Sequence, residues 1–192
     1  MWLAHIRDGG YRALIFDCDG TLVDSSAAHL RSVRAALQAQ GHDIDDAWYA
    51  ARTGLDRQSM FRDFADAAPR SLDITRASHD SIAAFIADSA AVSEIPETAD
   101  LVRALGGVYP MAVGTNAERD VACAALMATN LLHFFDHIVC VSDGCAPKPS
   151  PDIFALATGR MGFSASQTLV FEDSTEGVAA ATQAGLDVIR VL

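Results

Sequence analysis

The sequence predicts an α/β fold, a Rossmann-like parallel sheet core with helices on both faces and an inserted all-helical cap. Two observations support this prediction. Short apolar runs alternate with helical patterns after residue 95, and parallel strands need such helical crossovers between them. Residues 26–93, called the helical segment below, show helical periodicity and no convincing strand. We therefore expect a core formed by residues 1–25 and 94–192, with the helical segment inserted as a cap after the first strand.

The first half of the chain predicts one strand followed by helices. The apolar run at residues 13–15 has the length and character of a buried strand. His29, Val33 and Leu37 recur on one face of a predicted helix that ends at Gly41. Further helical patterns cover residues 57–64 and 74–90.

The second half predicts regular alternation of helices and strands. The predicted helices are 99–105, 118–127, 151–161 and 175–183, and the predicted strands are 111–113, 138–141, 168–171 and 187–191. Glycines end two of the helices, Gly106 the first and Gly185 the last. Ser150 is expected to be the N-cap of helix 151–161, with Pro151 at its first position.

The composition excludes several classes of protein. Apolar residues make up 51% and charged residues 20% of the chain, as in soluble globular proteins. A net charge of −11 argues against nucleic acids and anionic membranes as partners. No apolar run approaches the ~20 residues of a membrane helix, and residues 1–8 lack the pattern of a signal peptide. The four cysteines lack the paired spacing of a metal site and suit a reducing compartment. We expect a cytoplasmic protein, a monomer or weak homodimer.

Two carboxylates follow the first strand at a spacing that is unusual for a structural role. Asp17 and Asp19 stand two residues apart, and Gly20 then turns the chain sharply. Acids crowded at the end of a strand repel each other. A divalent cation relieves such repulsion, and a reaction that needs one ionised and one protonated acid exploits it. The pair therefore predicts a catalytic site.

Other polar residues follow the remaining predicted strands of the core. Thr115 and Asn116 follow the second strand, and Glu172 and Asp173 follow the fourth. The loop after the third strand contains Lys148, the only lysine in a chain with thirteen arginines. The carboxyl ends of parallel strands form the active crevice of open α/β sheets, so these residues are expected to converge. Clustered acids with one lysine and a threonine indicate Mg²⁺ and a phosphate group.

These segments resemble the motifs of the haloacid dehalogenase superfamily of phosphohydrolases. The matching motifs are Asp-x-Asp-Gly-Thr at 17–21, the threonine at 115, Lys-Pro-x-Pro-Asp at 148–152 and Glu-Asp-Ser at 172–174. Their order and spacing match the superfamily over nearly the whole chain. The position of the helical segment resembles the subgroup that contains β-phosphoglucomutase and sugar-phosphate phosphatases. Residues 111–115 and 170–173 are most similar to bacterial fructose-1-phosphate phosphatases.

The resemblance implies a role for each motif residue. Asp17 would be the nucleophile that forms an aspartyl-phosphate, and Asp19 would be the general acid and then the general base. Mg²⁺ would bind the Asp17 carboxylate, the Asp19 backbone carbonyl and Asp173, with Glu172 bound directly or through water. The phosphate-binding residues would be Thr115, Asn116 and Lys148. The implied partner is a small phosphorylated metabolite.

Two residues of the helical segment are candidates for substrate binding through the same resemblance. His29 falls where β-phosphoglucomutase has a histidine near its general acid. Arg57 falls in the loop that carries the mutase's phosphate-binding arginine. A structural histidine on a helix and a surface arginine are the respective alternatives.

The sequence leaves three functions open. The first is a Mg²⁺-dependent phosphatase of a small sugar phosphate, similar to fructose-1-phosphate. The second is a sugar phosphomutase of the β-phosphoglucomutase type, which is weakened because the helical segment contains no lysine. The third is a binding or regulatory protein that has lost turnover, and the complete set of motif residues argues against it.

Overall fold

The computed structural model describes residues 2–68 and 70–191. Its strands are β1 (Ala13–Phe16), β2 (Val23–Asp24), β3 (Ser93–Glu94), β4 (Met111–Thr115), β5 (His137–Cys140), β6 (Thr168–Glu172) and β7 (Asp187–Arg190). Its α-helices are α1 (Trp2–Asp8), α2 (Ser26–Gln38), α3 (Asp46–Ala50), α4 (Arg57–Ala67), α5 (Ile74–Ala87), α6 (Pro96–Leu105), α7 (Arg119–Ala128), α8 (Asp152–Met161) and α9 (Thr175–Gln183).

Five of the strands over these residues form one sheet in the order β5-β4-β1-β6-β7. Every neighbouring pair in it is parallel, and β1 lies at the centre between β4 and β6. The predicted parallel α/β sheet is therefore confirmed. This order brings the carboxyl ends of β1, β4 and β6 side by side, which is where the sequence places the motif residues.

Helices cover both faces of the sheet because side chains alternate along each strand. Leu14 and Phe16 face a cluster that includes residues of α1, α6 and α7. Ile15 faces the opposite cluster, to which α8 and α9 contribute. The rings of Phe16 and Phe171, both fully buried, stack at a centroid distance of 4.8 Å on neighbouring strands.

The helical segment has an apolar cluster of its own. It consists of residues of α2, α3, α4 and α5 and of the loop that joins α2 to α3, among them Leu37, Tyr49 and Phe61. The segment joins the rest of the chain through a short antiparallel pair, in which Val23 of β2 pairs with Glu94 of β3 and Asp24 with Ser93. The two points where the chain enters and leaves the segment are therefore adjacent.

Local differences from the sequence prediction have simple causes. The sequence did not predict α1, where Ile6 alone is fully buried, or α3, which is only five residues long. The prediction of Ser150 as the N-cap of α8 was wrong. The carbonyl of Pro151 accepts the first helical hydrogen bond, from the Ala155 N–H at 2.9 Å, so Pro151 itself is the N-cap and the helix begins one residue later. Across the described ranges, no helix has both the length and the apolar character needed to span a bilayer.

We expect Phe171→Ala to lower the free energy of unfolding by about 3–5 kcal/mol, because the change leaves a cavity between β6 and β1. Urea denaturation measures this loss. Met127→Ala is the matched control, since Met127 is 66% exposed and its truncation should change stability by less than about 0.5 kcal/mol. Similar losses for the two variants would contradict the central position assigned to Phe171.

Candidate active site

A cavity of about 420 Å³ lies at the carboxyl ends of the central strands. The core lines it with Asp17 after β1, Thr115 at the end of β4, Lys148 after β5 and Glu172 at the end of β6. The helical segment covers the other side with residues of α2, α3, α4 and the loop that precedes α4. The structure therefore brings the sequence motifs together at one edge of the sheet.

Lys148 holds two of the strand ends together. Its Nζ donates hydrogen bonds to Asp17 Oδ1 at 2.6 Å and to Glu172 Oε2 at 2.7 Å, and all three side chains are buried. The ammonium also lies 4.7 Å from the centre of the Phe154 ring. Burial by itself would lower the pKa of Lys148, but the two carboxylates outweigh burial and raise it. The lysine is therefore charged at neutral pH.

Asp17, Glu172 and Asp173 form an acidic cluster whose ligand oxygens all lie within 4.8 Å of one another. Burial, and then the charge of Glu172, raise the pKa of Asp17 well above its ordinary value in spite of Lys148. The same two causes raise the pKa of Asp173. Lys148 offsets one of three negative charges, so the cluster retains excess negative charge. Close, buried carboxylate oxygens with unbalanced charge fit a hard divalent cation such as Mg²⁺.

Glycine at two positions makes room for these carboxylates. Gly20 has a φ of +89°, and a Cβ there would lie 2.3 Å from Asp173 Oδ2. A Cβ on Gly177 would lie 2.0 Å from the carboxylate of Glu172. The backbone N–H of Gly177 instead donates to Ser174 Oγ, the N-cap of α9, at 3.0 Å. Both carboxylates therefore pack directly against backbone.

Both oxygens of Glu172 have partners. Oε2 accepts from Lys148, while Oε1 accepts from the Ser174 N–H at 3.0 Å and from Ser174 Oγ at 2.8 Å. Asp173 Oδ1 accepts from Thr21 Oγ1 at 3.1 Å. These bonds fix the orientation of the cluster before any ligand binds.

Asp19 points away from the acidic cluster. Its Oδ1 accepts a hydrogen bond from Ser25 Oγ and lies 3.1 Å from His29 Nε2. Burial would raise the pKa of Asp19, but His29, Ser25 and the charge of Arg57 outweigh burial and lower it. The His29 ring stacks on Phe85 with a centroid distance of 4.3 Å. The structure thus places His29 beside the predicted general acid, and it adds Ser25, which the sequence analysis missed.

Thr115 and Asn116 occupy different positions at the end of β4. Thr115 is buried, lines the cavity and accepts from the Ala117 N–H at 3.0 Å. Asn116 Oδ1 accepts from the Lys148 N–H at 2.8 Å, and its Nδ2 donates to the carbonyl of Gly54 at 3.1 Å. The Asn116 amide therefore connects the lysine loop with a loop of the helical segment.

Arg57 is buried at the start of α4 and forms an ion pair with the core. Its Nε lies 3.1 and 3.0 Å from the two carboxylate oxygens of Glu118, and its Nη1 donates to Ser81 Oγ at 2.9 Å. Glu118 is the N-cap residue of α7 and was missed by the sequence analysis. Its place just after Thr115 and Asn116, at the start of a predicted helix, was the available signal.

We expect Asp17→Asn to raise the melting temperature in metal-free buffer at neutral pH. The pKa of Asp17 is higher in the folded state than its ordinary value of 3.8, so its ionisation makes the folded state less stable as pH rises above that value. Asparagine removes this loss, and each kcal/mol gained raises the melting temperature by about 2–4 °C. Mg²⁺ should stabilise the wild type more than the variant, because the variant has lost one carboxylate of the acidic cluster. Equal melting temperatures in chelator, with an equal response to Mg²⁺, would contradict the crowding of this cluster.

We expect Gly177→Ala to destabilise the protein by about 1–3 kcal/mol, because the new methyl group overlaps the Glu172 carboxylate. Gly159→Ala is the matched control. Gly159 also lies in a helix, nothing approaches its Cβ position, and alanine there should stabilise by about 0.5–1 kcal/mol. Thermal or urea unfolding of both variants measures the difference. A shift of the same sign in both would contradict close packing at Gly177.

Comparison with known proteins identifies relatives that are hydrolases and phosphatases. The family model described as haloacid dehalogenase-like hydrolase matches residues 14–191. The chain is 34% identical to the fructose-1-phosphate phosphatase YqaB of Escherichia coli over 184 residues, which cover 94% of this chain and 96% of YqaB. It is 29% identical to the validoxylamine A 7'-phosphate phosphatase of Streptomyces hygroscopicus subsp. limoneus, with 92% of this chain and 83% of that protein covered.

The fold is similar to the solved structures of CbbY. The crystal structure of CbbY from Rhodobacter sphaeroides in complex with phosphate has a TM-score of 0.86 and 26% identity, and covers 95% of this chain and 87% of CbbY. A CbbY mutant in complex with xylulose-(1,5)bisphosphate gives the same values. The prediction of a phosphoric monoester hydrolase is confirmed by these comparisons: the chain belongs to the haloacid dehalogenase-like hydrolase family.

Proposed function

We propose that this hydrolase is a Mg²⁺-dependent phosphatase of small sugar phosphates, with fructose-1-phosphate and similar compounds as the first candidates. The observation that carries the proposal is the buried contact of Lys148 with Asp17 and Glu172 beside Asp173, at the base of a cavity large enough for a sugar phosphate. The similarity to YqaB over nearly the whole chain supports this choice of substrate.

The acidic cluster is the proposed metal site. Asp17 and Asp173 would bind Mg²⁺ with their carboxylates and Asp19 with its backbone carbonyl, and Glu172 would contribute directly or through water. When bound, Mg²⁺ supplies positive charge that stabilises the phosphoryl oxygens during transfer. Lys148 adds a second positive charge on the same side and, with Thr115, would bind the phosphate.

The proposed reaction has two steps at Asp17. In the first, an Asp17 carboxylate oxygen attacks phosphorus, the bond from phosphorus to the sugar oxygen breaks, and Asp19 gives its proton to that oxygen. In the second, Asp19 takes a proton from a water molecule, whose oxygen attacks the aspartyl-phosphate and releases inorganic phosphate. The proton that Asp19 takes from water in the second step is the one it gives in the first step of the next turnover, and His29 Nε2 lies 3.1 Å from the Asp19 carboxylate.

We propose that the helical segment acts as a cap over a core of residues 1–25 and 94–192. Contacts at the cavity join it to the core, from His29 to Asp19, from Asn116 to Gly54 and from Glu118 to Arg57. A cover over the cavity would hold the reacting groups in position and limit access of bulk water to them. The same cover would contact the sugar and select it.

Phosphate release from a panel of sugar monophosphates, with Mg²⁺ and with chelator, tests the proposal. We expect release that requires Mg²⁺, is abolished by Asp17→Asn and falls by about 10²–10⁴-fold in Asp19→Asn. Glu97→Gln on α6 is the control, since this exposed acid lies outside the cavity, and it should retain activity. No release from any monophosphate would overturn the proposal, and turnover only with a bisphosphate primer would instead favour a phosphomutase.

A further inference from the structure

Over residues 26–68 and 70–93, the cavity wall that the helical segment forms contains a single guanidinium, that of Arg57. Among the described residues, Lys148 and Arg57 are the lysine and arginine side chains that line the cavity. Lys148 is engaged by the acidic cluster at the base, where the phosphate to be cleaved would bind. Arg57 is therefore the remaining cation available to a charged group at the other end of a substrate.

Arg57 is already neutralised by the core. Both carboxylate oxygens of Glu118 lie within 3.1 Å of its Nε, and Ser81 Oγ accepts from Nη1. The side chain of Arg57 is only 6% exposed and that of Glu118 is 21% exposed. Solvent therefore screens this ion pair weakly, and separating it would leave a largely desolvated carboxylate without its partner.

The rest of the cavity lining is strongly acidic. In the described part of the chain, six carboxylates line it, against the two cations named above; they belong to Asp17, Asp19, Glu118, Glu172, Asp173 and Glu176. A divalent metal at the base and Lys148 are the positive groups that one phosphate dianion would contact there. A second phosphate would meet an arginine that is already paired and the Glu118 carboxylate beside it. Like charges at about 4 Å repel strongly in such a partly buried site.

We propose that Glu118 is a specificity-determining residue that neutralises Arg57 and so excludes bisphosphates, selecting monophosphates whose other end carries hydroxyl groups. This inference rests on the proposed phosphatase function for its substrate class. It assigns Glu118 a role in substrate selection, and it makes Arg57 a structural partner of Glu118 in place of a phosphate ligand. A sugar hydroxyl can still donate to the Glu118 carboxylate, whereas a phosphate dianion has no proton to donate.

Two substrates that differ only by a second phosphate test the proposal: fructose 1-phosphate and fructose 1,6-bisphosphate. We expect Glu118→Gln to raise the ratio of kcat/KM for the bisphosphate to that for the monophosphate by about tenfold, because the variant frees Arg57 and removes the repulsion. Glu118→Asp keeps the charge and should not raise this ratio. Glu176→Gln, which removes another acid of the cavity, should change it by less than about threefold. An equal rise in Glu118→Asp or Glu176→Gln would overturn the proposal.

The double variant Arg57→Gln/Glu118→Gln tests whether Glu118 acts through Arg57. The gain toward the bisphosphate should be smaller than in Glu118→Gln alone, because the repulsion by Glu118 is still absent but the Arg57 cation is lost as well. A gain retained in full would overturn the neutralisation of Arg57. Thermal melts accompany each variant, since loss of either partner leaves a buried group unpaired.

A binding measurement separates this inference from the proposed function. Calorimetry with both sugar phosphates is performed on Asp17→Asn and on Asp17→Asn/Glu118→Gln, in which no turnover interferes. We expect the second protein to gain about tenfold in affinity for the bisphosphate relative to the monophosphate. If this gain is observed but the wild type has no phosphatase activity, the proposed function is refuted and the role of Glu118 stands. An unchanged ratio, or no binding of either ligand to either protein, would refute the role of Glu118.

Discussion

The site depends on one interaction, the hydrogen bonds from the buried Lys148 ammonium to Asp17 and Glu172. The ends of β1 and β6 would otherwise bring carboxylates together with nothing to balance them, and buried charges without partners are strongly unfavourable. A single lysine joins the ends of β1 and β6 to the loop after β5. Since the chain has no other lysine, no neighbouring side chain of this type can replace it. The charge that remains is what makes the cluster suitable for a divalent cation.

Much of the local structure serves to hold acids close together. Gly20 and Gly177 let backbone approach Asp173 and Glu172 more closely than any side chain allows. Ser174 is the N-cap of α9 and donates to Glu172, so one residue both starts a helix and orients a carboxylate. The carboxylates are therefore already oriented in the folded protein and need not be reoriented when substrate binds.

The core and its site were largely predictable because short-range signals determine them. Apolar runs, helix caps and glycines gave the order of strands and helices, and parallel topology then required that Asp17, Lys148 and Asp173 meet at one edge. The contacts across the cavity were not predictable in the same way. Arg57 and Glu118 are 61 residues apart, and their pairing depends on how the helical segment lies on the core. The sequence indicated a site role for Arg57 through resemblance, but its partner emerges only from the tertiary structure.

The short β2–β3 pair has a consequence for the architecture as a whole. Adjacent strands lie about 5 Å apart, so the chain leaves the core and returns to it at nearly the same point. The entropic cost of joining the two ends at the core sheet therefore depends only weakly on the length of the inserted segment. A chain built in this way can exchange or enlarge its inserted helices, and with them one wall of the cavity, while the sheet edge is left as it is.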